Sequence, residues 1–297
     1  MIKVTFLGTS YNIPTAKRNH TSIFLNYKGE NILVDCGEGT QRQFRKAKLN
    51  PCKLTRILIT HIHGDHILGL PGLMQTLSLS NYNKTLFIYG PKGIKLFIER
   101  MMKAFIFELN YNVKVLEVQG KFFENEDFYL EAKRVVHGVP CNAYSFNEKS
   151  KLRIDKTKIK KSGLPSSELM GKLKLGKNVV YKGKKYLAKN LTFMQKGKKI
   201  SFVLDALFDK KIISFVKESD LLICEATFHS EIKEDAKKKK HLTAEQAGEI
   251  AKKSKSKKLL LTHISQRYEN DLPKLLKDAR KKFKNTSIVH DFESFEI

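Results

Sequence analysis

Residues 60–66 read Thr-His-Ile-His-Gly-Asp-His and directly follow the apolar stretch 57–59, Ile-Leu-Ile. This short segment holds four side chains that can bind a metal, namely His61, His63, Asp65 and His66. Imidazole nitrogens suit zinc, and the carboxylate adds charge and a possible base. A lone histidine is usually structural, but three histidines and an aspartate crowded at a strand end predict a metal site.

Other strand ends supply the remaining candidate ligands, because one short loop cannot saturate two metals. His137 follows the apolar stretch 132–136, Asp205 follows 200–204, and His263 follows 259–262. Their shared position just beyond an apolar run favours all three together as ligands. His20, His229 and His290 have this setting weakly or not at all. We expect those three to be structural or surface residues.

Hydrophobic periodicity predicts strands followed by helices in two comparable halves of the chain. Strands are predicted at 2–7, 22–27, 30–35, 56–60, 86–89, 113–118, 128–136, 199–204, 221–225 and 259–262. Helices are predicted at 38–48, 66–80, 92–102, 243–254 (with Thr243 as its cap and Gln246 three residues on) and 271–283. This order predicts an α/β (α+β) fold with two β-sheets packed face to face and helices outside.

The charge indicates a polyanionic partner. The chain has 56 Lys and Arg against 30 Asp and Glu, a net charge of +26. Residues 148–199 alone carry 17 basic and 3 acidic residues, whereas a lysine-rich proteome would spread the surplus more evenly. Nucleic acid is the leading partner, because lysine and arginine release counterions when they contact phosphates. Glycines and a proline punctuate residues 148–197, which we call the basic segment, and predict a loop-rich arm there.

The composition and the first residues of the sequence indicate the cellular compartment in which the protein is expected. No run of about 18 apolar residues is present, so no membrane span is expected. The first residues begin directly with a strand pattern and lack a signal-peptide core. The four cysteines are scattered without a C-x-x-C pair, which fits a reducing compartment. We therefore expect a cytoplasmic protein without disulfides and without an organic cofactor.

The H-x-H-x-D-H pattern at 61–66, with the later single histidines and aspartate, resembles the metallo-β-lactamase superfamily. That resemblance implies a four-layer αββα sandwich with a dinuclear site, here two Zn²⁺ per subunit. It assigns one metal to His61, His63 and His137, the other to Asp65, His66 and His263, and the bridging role to Asp205. One departure is local: Val203-Leu204 and Ala206-Leu207 flank the aspartate, where the superfamily often has Gly before it and Thr after it.

Longer stretches resemble one branch of that superfamily, the ribonuclease Z family of tRNA 3′-processing endonucleases. The matching stretches are the opening turn Gly8-Thr9-Ser10 with Pro14 and Arg18-Asn19, residues 35–43 (DCGEGTQRQ), Glu225-Ala226-Thr227 with His241, and residues 262–268 (THISQRY). The resemblance implies a single metallo-β-lactamase-like domain over 1–297 with a tRNA-binding exosite arm inserted at 148–197. It also implies a homodimer in which one subunit's arm holds the other subunit's precursor tRNA.

The same resemblance implies the residue roles. Asp65 binds metal and accepts the proton of the attacking water, and His241, held by Glu225, protonates the leaving 3′ oxygen. The products are a 3′-hydroxyl on the tRNA and a 5′-phosphate on the trailer. The residues expected to contact substrate are Arg42, Arg267, Tyr268, Lys172 and Lys174. The family has a Gly-Pro-rich sequence near the last two, where this chain has Ser166-Ser167-Glu168.

Simpler interpretations of these stretches remain open. Residues 35–43 also fit a plain strand-to-helix turn, in which Gly37 and Gly39 give backbone freedom and Asp35 caps the helix. Arg267 and Tyr268 also fit a surface pair, and the basic segment fits a solvated lysine-rich loop. Alternative functions are a generic phosphodiesterase acting on small nucleotides, a non-catalytic RNA-binding protein, and a lactam or thioester hydrolase. The charge and the basic segment disfavour small substrates, and the complete set of seven predicted ligands disfavours a pure binder.

Overall fold

The computed structural model describes residues 1–106, 108–165 and 167–297. These residues divide into two compact units. The catalytic unit comprises 1–123, 130–146 and 199–297, and the arm unit comprises 124–129 and 147–198. The described part of the chain has no helix long and apolar enough to cross a bilayer. Ser166, where the sequence departs from the family pattern, lies outside the described residues.

Strands make up most of the framework that positions the site. In chain order they are β1 (Lys3–Gly8), β2 (Ser22–Tyr27), β3 (Glu30–Val34), β4 (Arg56–Leu58), β5 (Leu86–Gly90), β6 (Val113–Glu117), β7 (Gly120–Glu124), β8 (Phe128–Val135), β9 (Cys141–Glu148), β10 (Lys151–Ile154), β11 (Val179–Tyr181), β12 (Lys184–Tyr186), β13 (Thr192–Gln195), β14 (Lys199–Val203), β15 (Leu221–Glu225), β16 (Leu259–Thr262), β17 (Thr286–Ile288) and β18 (Ser294–Glu296).

Helices connect these strands and cover the sheets. They are α1 (Thr40–Lys46), α2 (Gly64–Ile67), α3 (Leu70–Leu79), α4 (Ile94–Ala104), α5 (Lys156–Ser162), α6 (Leu169–Lys174), α7 (Ala188–Leu191), α8 (Lys210–Phe215), α9 (Lys233–Lys238), α10 (Ala244–Lys253) and α11 (Leu272–Arg280). Short 3₁₀ turns lie at Pro51–Lys53, Ser230–Ile232 and Gln266–Tyr268.

In the described residues, the large sheets have seven strands each. The first has the order β18-β1-β2-β3-β4-β5-β6, and β3 to β6 run parallel. The second has the order β17-β16-β15-β14-β9-β8-β7, and β14 to β17 run parallel. Neighbouring parallel strands end at the same edge of their sheet, so the residues that follow them gather there.

The two sheets pack face to face, with helices on their outer faces. The rings of Tyr27 in β2 and Phe146 in β9 lie 5.3 Å apart, and Tyr144 donates a 2.7 Å hydrogen bond to the carbonyl of Ile59. One apolar cluster joins the first sheet to α1, α3 and α4, and another joins the second sheet to α8, α10 and α11. The predicted αββα sandwich is confirmed.

The strand predictions hold to within two residues at each end, which is the usual spread of boundary assignment. The predicted capping box of α10 is present: Gln246 N donates to Thr243 Oγ1, and Thr243 N donates to Gln246 Oε1. The single helix predicted over 66–80 is wrong, because the chain forms α2 and α3 instead. Gly69 separates them: a Cβ there would lie 1.9 Å from the carbonyl oxygen of Gly37.

The arm unit has its own small core, so the prediction of a loop-rich arm is wrong. Two antiparallel strand pairs, β10–β13 and β11–β12, combine with α5, α6 and α7. The buried residues of this core are Leu164, Leu173, Val179, Ala188 and Leu191. Sparse apolar residues among many lysines hid this core, because so small a cluster buries only a few side chains while the charged ones remain in water.

Candidate metal centre and catalytic pair

The seven predicted ligands come together at one place in the catalytic unit. Their positions follow the ends of strands: the loop 61–66 lies beyond β4, His137 beyond β8, Asp205 beyond β14 and His263 beyond β16. Among the described residues, ligand atoms lie within 4.8 Å of one another in three groups: His61, His63, His137 and Asp205 in the first, Asp65, His66 and His263 in the second, and Asp205, Glu225, His241 and His263 in the third. The first two groups contain the two sets of ligands that the family resemblance implies, and the third joins Asp205 and His263 to the predicted Glu225–His241 pair.

In the first group, three imidazole nitrogens face one another. His63 Nδ1 lies 3.0 Å from His61 Nε2 and 3.2 Å from His137 Nε2. Asp205 Oδ2 completes the group at 3.5 Å from His61 Nε2 and 3.7 Å from His137 Nε2. Donors about 2.0–2.1 Å from a tetrahedral zinc lie ~3.3 Å apart, so these separations suit one ion.

In the second group, His66 Nε2 and His263 Nε2 lie 3.1 Å apart. Asp65 Oδ2 lies 3.3 Å from each of these nitrogens. Asp205 Oδ1 lies 3.3 Å from His66 Nε2 and 3.1 Å from His263 Nε2. One oxygen of Asp205 therefore faces each group, as a bridging carboxylate requires.

The hydrogen bonds among the seven predicted ligands do not satisfy all of their polar atoms, and a bound cation would. Asp205 Oδ1 is buried, and within the described residues it has no hydrogen-bond partner of acceptable geometry. A buried carboxylate oxygen without such a partner is costly unless a positive charge compensates it. The left-handed backbone of Asp205 (φ 40°) and His263 (φ 59°) adds local strain at both positions. Strain of this kind persists where a functional geometry needs it.

Hydrogen bonds on the outer side fix the orientation of four imidazoles. His137 Nδ1 lies 3.1 Å from the carbonyl of Lys240, which can only accept. His66 Nδ1 lies 2.6 Å from a carboxylate oxygen of Asp35. The Nδ1 atoms of His61 and His263 face the hydroxyl oxygens of Thr60 and Thr227. Each Nδ1–H thus donates outward, which leaves Nε2 unprotonated and turned inward, as in metal-binding histidines.

Asp35 is a positioning residue that the sequence did not reveal. Its carboxylate accepts hydrogen bonds from Thr60 N and Thr60 Oγ1, both at 2.7 Å, as well as from His66. The expectation that Asp35 caps α1 is wrong: Gly39 is the N-cap residue, and no side chain caps that helix. Burial raises the pKa of Asp35, although His66 opposes the shift.

Glu225 and His241 form the predicted pair beside the second group. Glu225 Oε2 lies 2.9 Å from His241 Nδ1 and accepts the hydroxyl proton of Thr227 at 2.5 Å. Glu225 Oε1 accepts the backbone N–H of Ala206 at 2.6 Å. Burial lowers the pKa of His241, but Glu225 and then Asp205 outweigh it and raise the pKa to about 9. This raised pKa favours the protonated form of His241.

A cleft of about 350 Å³ gives access to this centre. His63, Asp65, His137, Asp205 and His241 line it. Tyr11 and Lys239 line it as well, and the sequence did not single them out. The Tyr11 ring lies edge-on, 5.2 Å from each of the His241 and His263 rings, and so closes one side of the cleft.

The predicted substrate contacts differ in where they lie. Arg42 and Arg267 are exposed, and the guanidinium of Arg267 lies 5.2 Å from the Phe228 ring. Lys172 and Lys174 are exposed on α6 of the arm unit. Tyr268 is buried in the second apolar cluster, and its hydroxyl accepts the N–H of His229 at 3.0 Å. Its ring is thus held in the core, and we assign Tyr268 a structural role in place of the predicted base stacking.

The three histidines excluded on sequence grounds lie outside both groups of ligands. His20 Nε2 lies 3.1 Å from the carbonyl of Asn12, and His229 caps the 3₁₀ turn Ser230–Ile232. His290 Nδ1 lies 3.2 Å from the guanidinium of Arg18.

Comparison with known proteins decides the family. The chain is 40% identical over 293 residues to a protein named Ribonuclease Z from Nanoarchaeum equitans, covering 99% of this chain and 92% of the relative. It is 37% identical over 303 residues to a Ribonuclease Z from Archaeoglobus fulgidus, covering 100% of this chain and 98% of the relative. The chain belongs to the ribonuclease Z family.

Solved structures agree with this family. The fold matches the crystal structure of human tRNase Z, short form, with a TM-score of 0.73 and 30% identity, covering 99% of each chain. It also matches the metallo-β-lactamase fold protein YhfI from Bacillus subtilis with a TM-score of 0.72, covering 100% of this chain and 99% of that one. At 21% identity, the second match shows the fold alone.

A family model described as "Anti-Pycsar protein Apyc1" matches residues 2–290, so the chain also falls within the wider group that this model covers. That description concerns the protein after which the model is named. The two relatives named Ribonuclease Z match this chain over 92% and 98% of their own length. They therefore identify the ribonuclease Z family as the branch to which the chain belongs.

Proposed function

We propose that the chain is a zinc-dependent endoribonuclease that removes the 3′ trailer from precursor tRNA. It leaves a 3′-hydroxyl on the tRNA and a 5′-phosphate on the trailer. One observation carries the proposal: Asp205 turns one oxygen toward each of the first two groups of ligands, and His241, held by the buried Glu225, lines the same cleft. Membership of the ribonuclease Z family supports precursor tRNA as the substrate.

Two Zn²⁺ per subunit fit the donor set. His61, His63 and His137 would hold one ion, Asp65, His66 and His263 the other, and Asp205 both. Imidazole-rich sites suit zinc, whereas magnesium prefers oxygen ligands and retained water. When bound, such ions lower the pKa of a water molecule toward about 7 and neutralise charge on phosphate oxygens.

We propose that Asp65 accepts the proton of the attacking water. Its Oδ2 points to the second group of ligands, while the residue also lines the cleft. Because Asp65 is the second residue of the short helix α2, its backbone is fixed by the turn that follows His63. A carboxylate held in this way can bind metal and take up a proton in the same reaction.

His241 supplies the proton that the leaving oxygen needs. An alkoxide is a poor leaving group, so a donor within hydrogen-bond reach of the 3′ oxygen speeds the reaction by about 10²–10⁴-fold. Glu225 holds His241 Nδ1, so Nε2 is the nitrogen left to face the cleft. The raised pKa of His241 favours the protonated imidazole that this role requires.

The arm unit is proposed to bind the tRNA body through its phosphates. The basic segment has exposed lysines, among them Lys172 and Lys174 on α6. Phosphate contacts position a nucleic acid without reading its sequence, which suits an enzyme that must process many tRNAs. Arg42 and Arg267 of the catalytic unit are exposed and would contribute further phosphate contacts.

We further propose a homodimer in the cytoplasm. The family resemblance supports the dimer, in which the arm of one subunit would hold the tRNA cut by the other. The four cysteines are free thiols, and three of them are buried, which suits a reducing compartment. Light scattering with and without tRNA would test the dimer, and a monomer that cleaves at full rate would contradict it.

Mapping the products of a defined precursor tRNA tests the function. The wild-type protein loaded with zinc should yield a tRNA with a 3′-hydroxyl and a trailer with a 5′-phosphate. Asp65→Ala should abolish cleavage while tRNA binding survives, since the phosphate contacts remain. A wild-type protein that hydrolyses bis(p-nitrophenyl) phosphate but leaves the precursor intact would indicate a small-nucleotide phosphodiesterase. One that binds tRNA without any hydrolysis would indicate an RNA-binding protein.

A further inference from the structure

A basic cavity of about 540 Å³ lies next to the metal centre in the catalytic unit. It shares His137 and Gly138 with the active-site cleft, so the two spaces border the same turn after β8. A cavity of this size can hold a small organic ligand or a nucleotide. The proposed mechanism uses His137 as a ligand and leaves the rest of this cavity without a role.

Three exposed cations line the cavity: Lys133, Arg134 and Lys211. Among the described residues, none of them forms an ion pair with a carboxylate. Asp209 is the acidic residue in the lining, and its carboxylate accepts the N–H of Lys211 at 2.8 Å as the cap of α8. Unpaired cations gathered around a concave surface attract a polyanion.

The rest of the lining suits an RNA strand that is bound without recognition of its base sequence. Val136, Val139 and Pro140 give an apolar floor beside the cations. Among the described lining residues there is no Phe, Tyr or Trp on which a base could stack specifically. Cations for phosphates and aliphatic surface for sugars and bases would hold RNA of any sequence.

The basic surface continues away from the metal centre. A second cavity of about 330 Å³ shares Gln119, Arg134 and Pro140 with the first and adds Lys92 and Glu117, and the Glu117 carboxylate accepts the backbone N–H of Gly93 at 2.8 Å. The Gln119 side chain is hydrogen-bonded to both β8 and β9. Its Oε1 accepts the N–H of Arg134 in β8 at 3.1 Å, and its Nε2 donates to Asn142 Oδ1 in β9 at 2.5 Å. The two cavities thus form one groove, which we call the basic groove, leading outward from His137.

We propose that the basic groove binds the 3′ trailer of the precursor, and this assignment rests on the proposed function. The leaving 3′ oxygen belongs to the tRNA, so the last tRNA nucleoside must lie against His241, its proton donor. The basic groove borders His137 and not His241. The strand on the other side of the scissile phosphate, which is the trailer, therefore leaves the centre through the basic groove.

Trailer length gives the test. We would measure kcat/KM for one precursor tRNA carrying a trailer of one or of twelve nucleotides, in wild type and in Lys133→Ala/Arg134→Ala/Lys211→Ala. In wild type, the long trailer should be favoured by about tenfold at low salt, with a salt slope steeper by about 2, as three phosphate contacts on a single strand predict. In the triple variant, both the preference and the extra slope should vanish.

Matched controls separate the basic groove from general charge loss. Lys95→Ala/Arg100→Ala removes two exposed cations of α4 outside the groove and should keep the wild-type preference. Arg134→Lys retains the charge and should retain most of the preference, whereas Arg134→Ala should reduce it. Thermal unfolding of each variant verifies that it is folded.

Each outcome decides the proposal. A triple variant that keeps the wild-type preference for the long trailer overturns it. So does a triple variant that loses activity equally on both substrates, because the groove would then bind the tRNA side. If wild type cleaves neither precursor, the proposed function itself has failed. If wild type cleaves both precursors at the same rate, the proposed trailer contact is wrong but the proposed function still stands.

Discussion

Glu225 Oε2 lies 2.9 Å from His241 Nδ1 and 2.5 Å from Thr227 Oγ1, so one carboxylate oxygen serves both the proton donor and the metal centre. Through Thr227 it fixes the tautomer of His263, whose Nε2 faces the second group of ligands. The acid and the metal centre are thereby held in one hydrogen-bonded unit. Such networks have effects larger than their separate bonds suggest.

The first prediction concerns the proton donor. His241→Ala should lower kcat on precursor tRNA by about 100-fold or more, with a smaller change in KM, because the leaving oxygen loses its proton source. A substrate with sulfur in place of the 3′ bridging oxygen needs no proton and should recover most of the rate. An equal loss on both substrates would show that His241 binds substrate instead.

Glu225→Gln should move the alkaline limb of the pH–rate profile to lower pH. Against the effect of burial, Glu225 and then Asp205 raise the pKa of His241 to about 9, so activity that depends on protonated His241 falls as pH rises through that value. Without the carboxylate charge the pKa drops, and the fall begins earlier. The measurement is kcat against pH from 6 to 10 for both enzymes. An unmoved limb would contradict the assignment of that limb to His241.

Asp35→Asn should weaken zinc binding by about 10–100-fold, the usual cost of losing an outer hydrogen-bond partner of a metal ligand. The Asp35 carboxylate accepts hydrogen bonds from His66 Nδ1–H and Thr60 N–H. An asparagine amide has only one accepting oxygen, so its NH₂ group would face one of these two donors. Competition with a chromophoric chelator measures the affinity. Asp271→Asn, an exposed aspartate without a capping bond, is the matched control and should bind as wild type does.

Metal removal should destabilise the protein. Binding to the native state alone stabilises it by about 4 kcal/mol at a thousandfold excess over Kd, so a chelator should lower Tm and added zinc should restore it. Asp205→Ala removes the oxygen that faces each group of ligands and should show a smaller shift and a lower zinc content. A Tm that ignores the chelator would argue against the metal centre.

Removing the arm should impair precursor tRNA cleavage much more than hydrolysis of bis(p-nitrophenyl) phosphate. Glu148 N donates to the carbonyl of Lys198 at 2.8 Å, so a short glycine-serine linker can replace residues 149–197. Loss of the phosphate contacts should lower kcat/KM on the precursor by about 100-fold or more. If both substrates suffer equally, the arm has a structural rather than a tRNA-binding role.

Asp291 should make the protein less stable as pH rises. Burial raises its pKa from 3.8 to about 6, against hydrogen bonds from Asn19 N and Thr9 Oγ1. The native state then holds this proton more tightly than the unfolded chain, so the free energy of unfolding falls between pH 4 and 6, by ~2 kcal/mol. Metal-free urea unfolding should show a flatter curve for Asp291→Asn. Exposed Asp235→Asn should keep the wild-type slope.

The sequence by itself determined the framework and the ligand candidates. Apolar runs at strand period predicted the strands around His137, Asp205 and His263, and a strand end is a position where a polar side chain can leave the core. Local capping chemistry also suffices for Thr243 and Gln246, because both partners lie within one helical turn. These features depend on neighbours close in the chain, so pattern reasoning reaches them.

Other features depend on residues distant in the chain. β9 escaped prediction because both of its faces are buried, so its polar residues, among them Asn142 and Ser145, break any simple alternation. Asp35 and Thr227 gain their roles only when strands from different parts of the chain end side by side. Tyr268 follows a catalytic signature, yet packing turned its ring into the core.

The role of each side chain at the site thus depends on which strand ends lie next to one another in the folded protein. Residue type and local spacing limited the chemistry to metal binding and proton transfer, since imidazole and carboxylate offer little else in that arrangement. Only tertiary structure could assign one oxygen of Asp205 to each group of ligands, because hydrogen bonds and ligand geometry require distances of a few ångströms that the chain order does not encode.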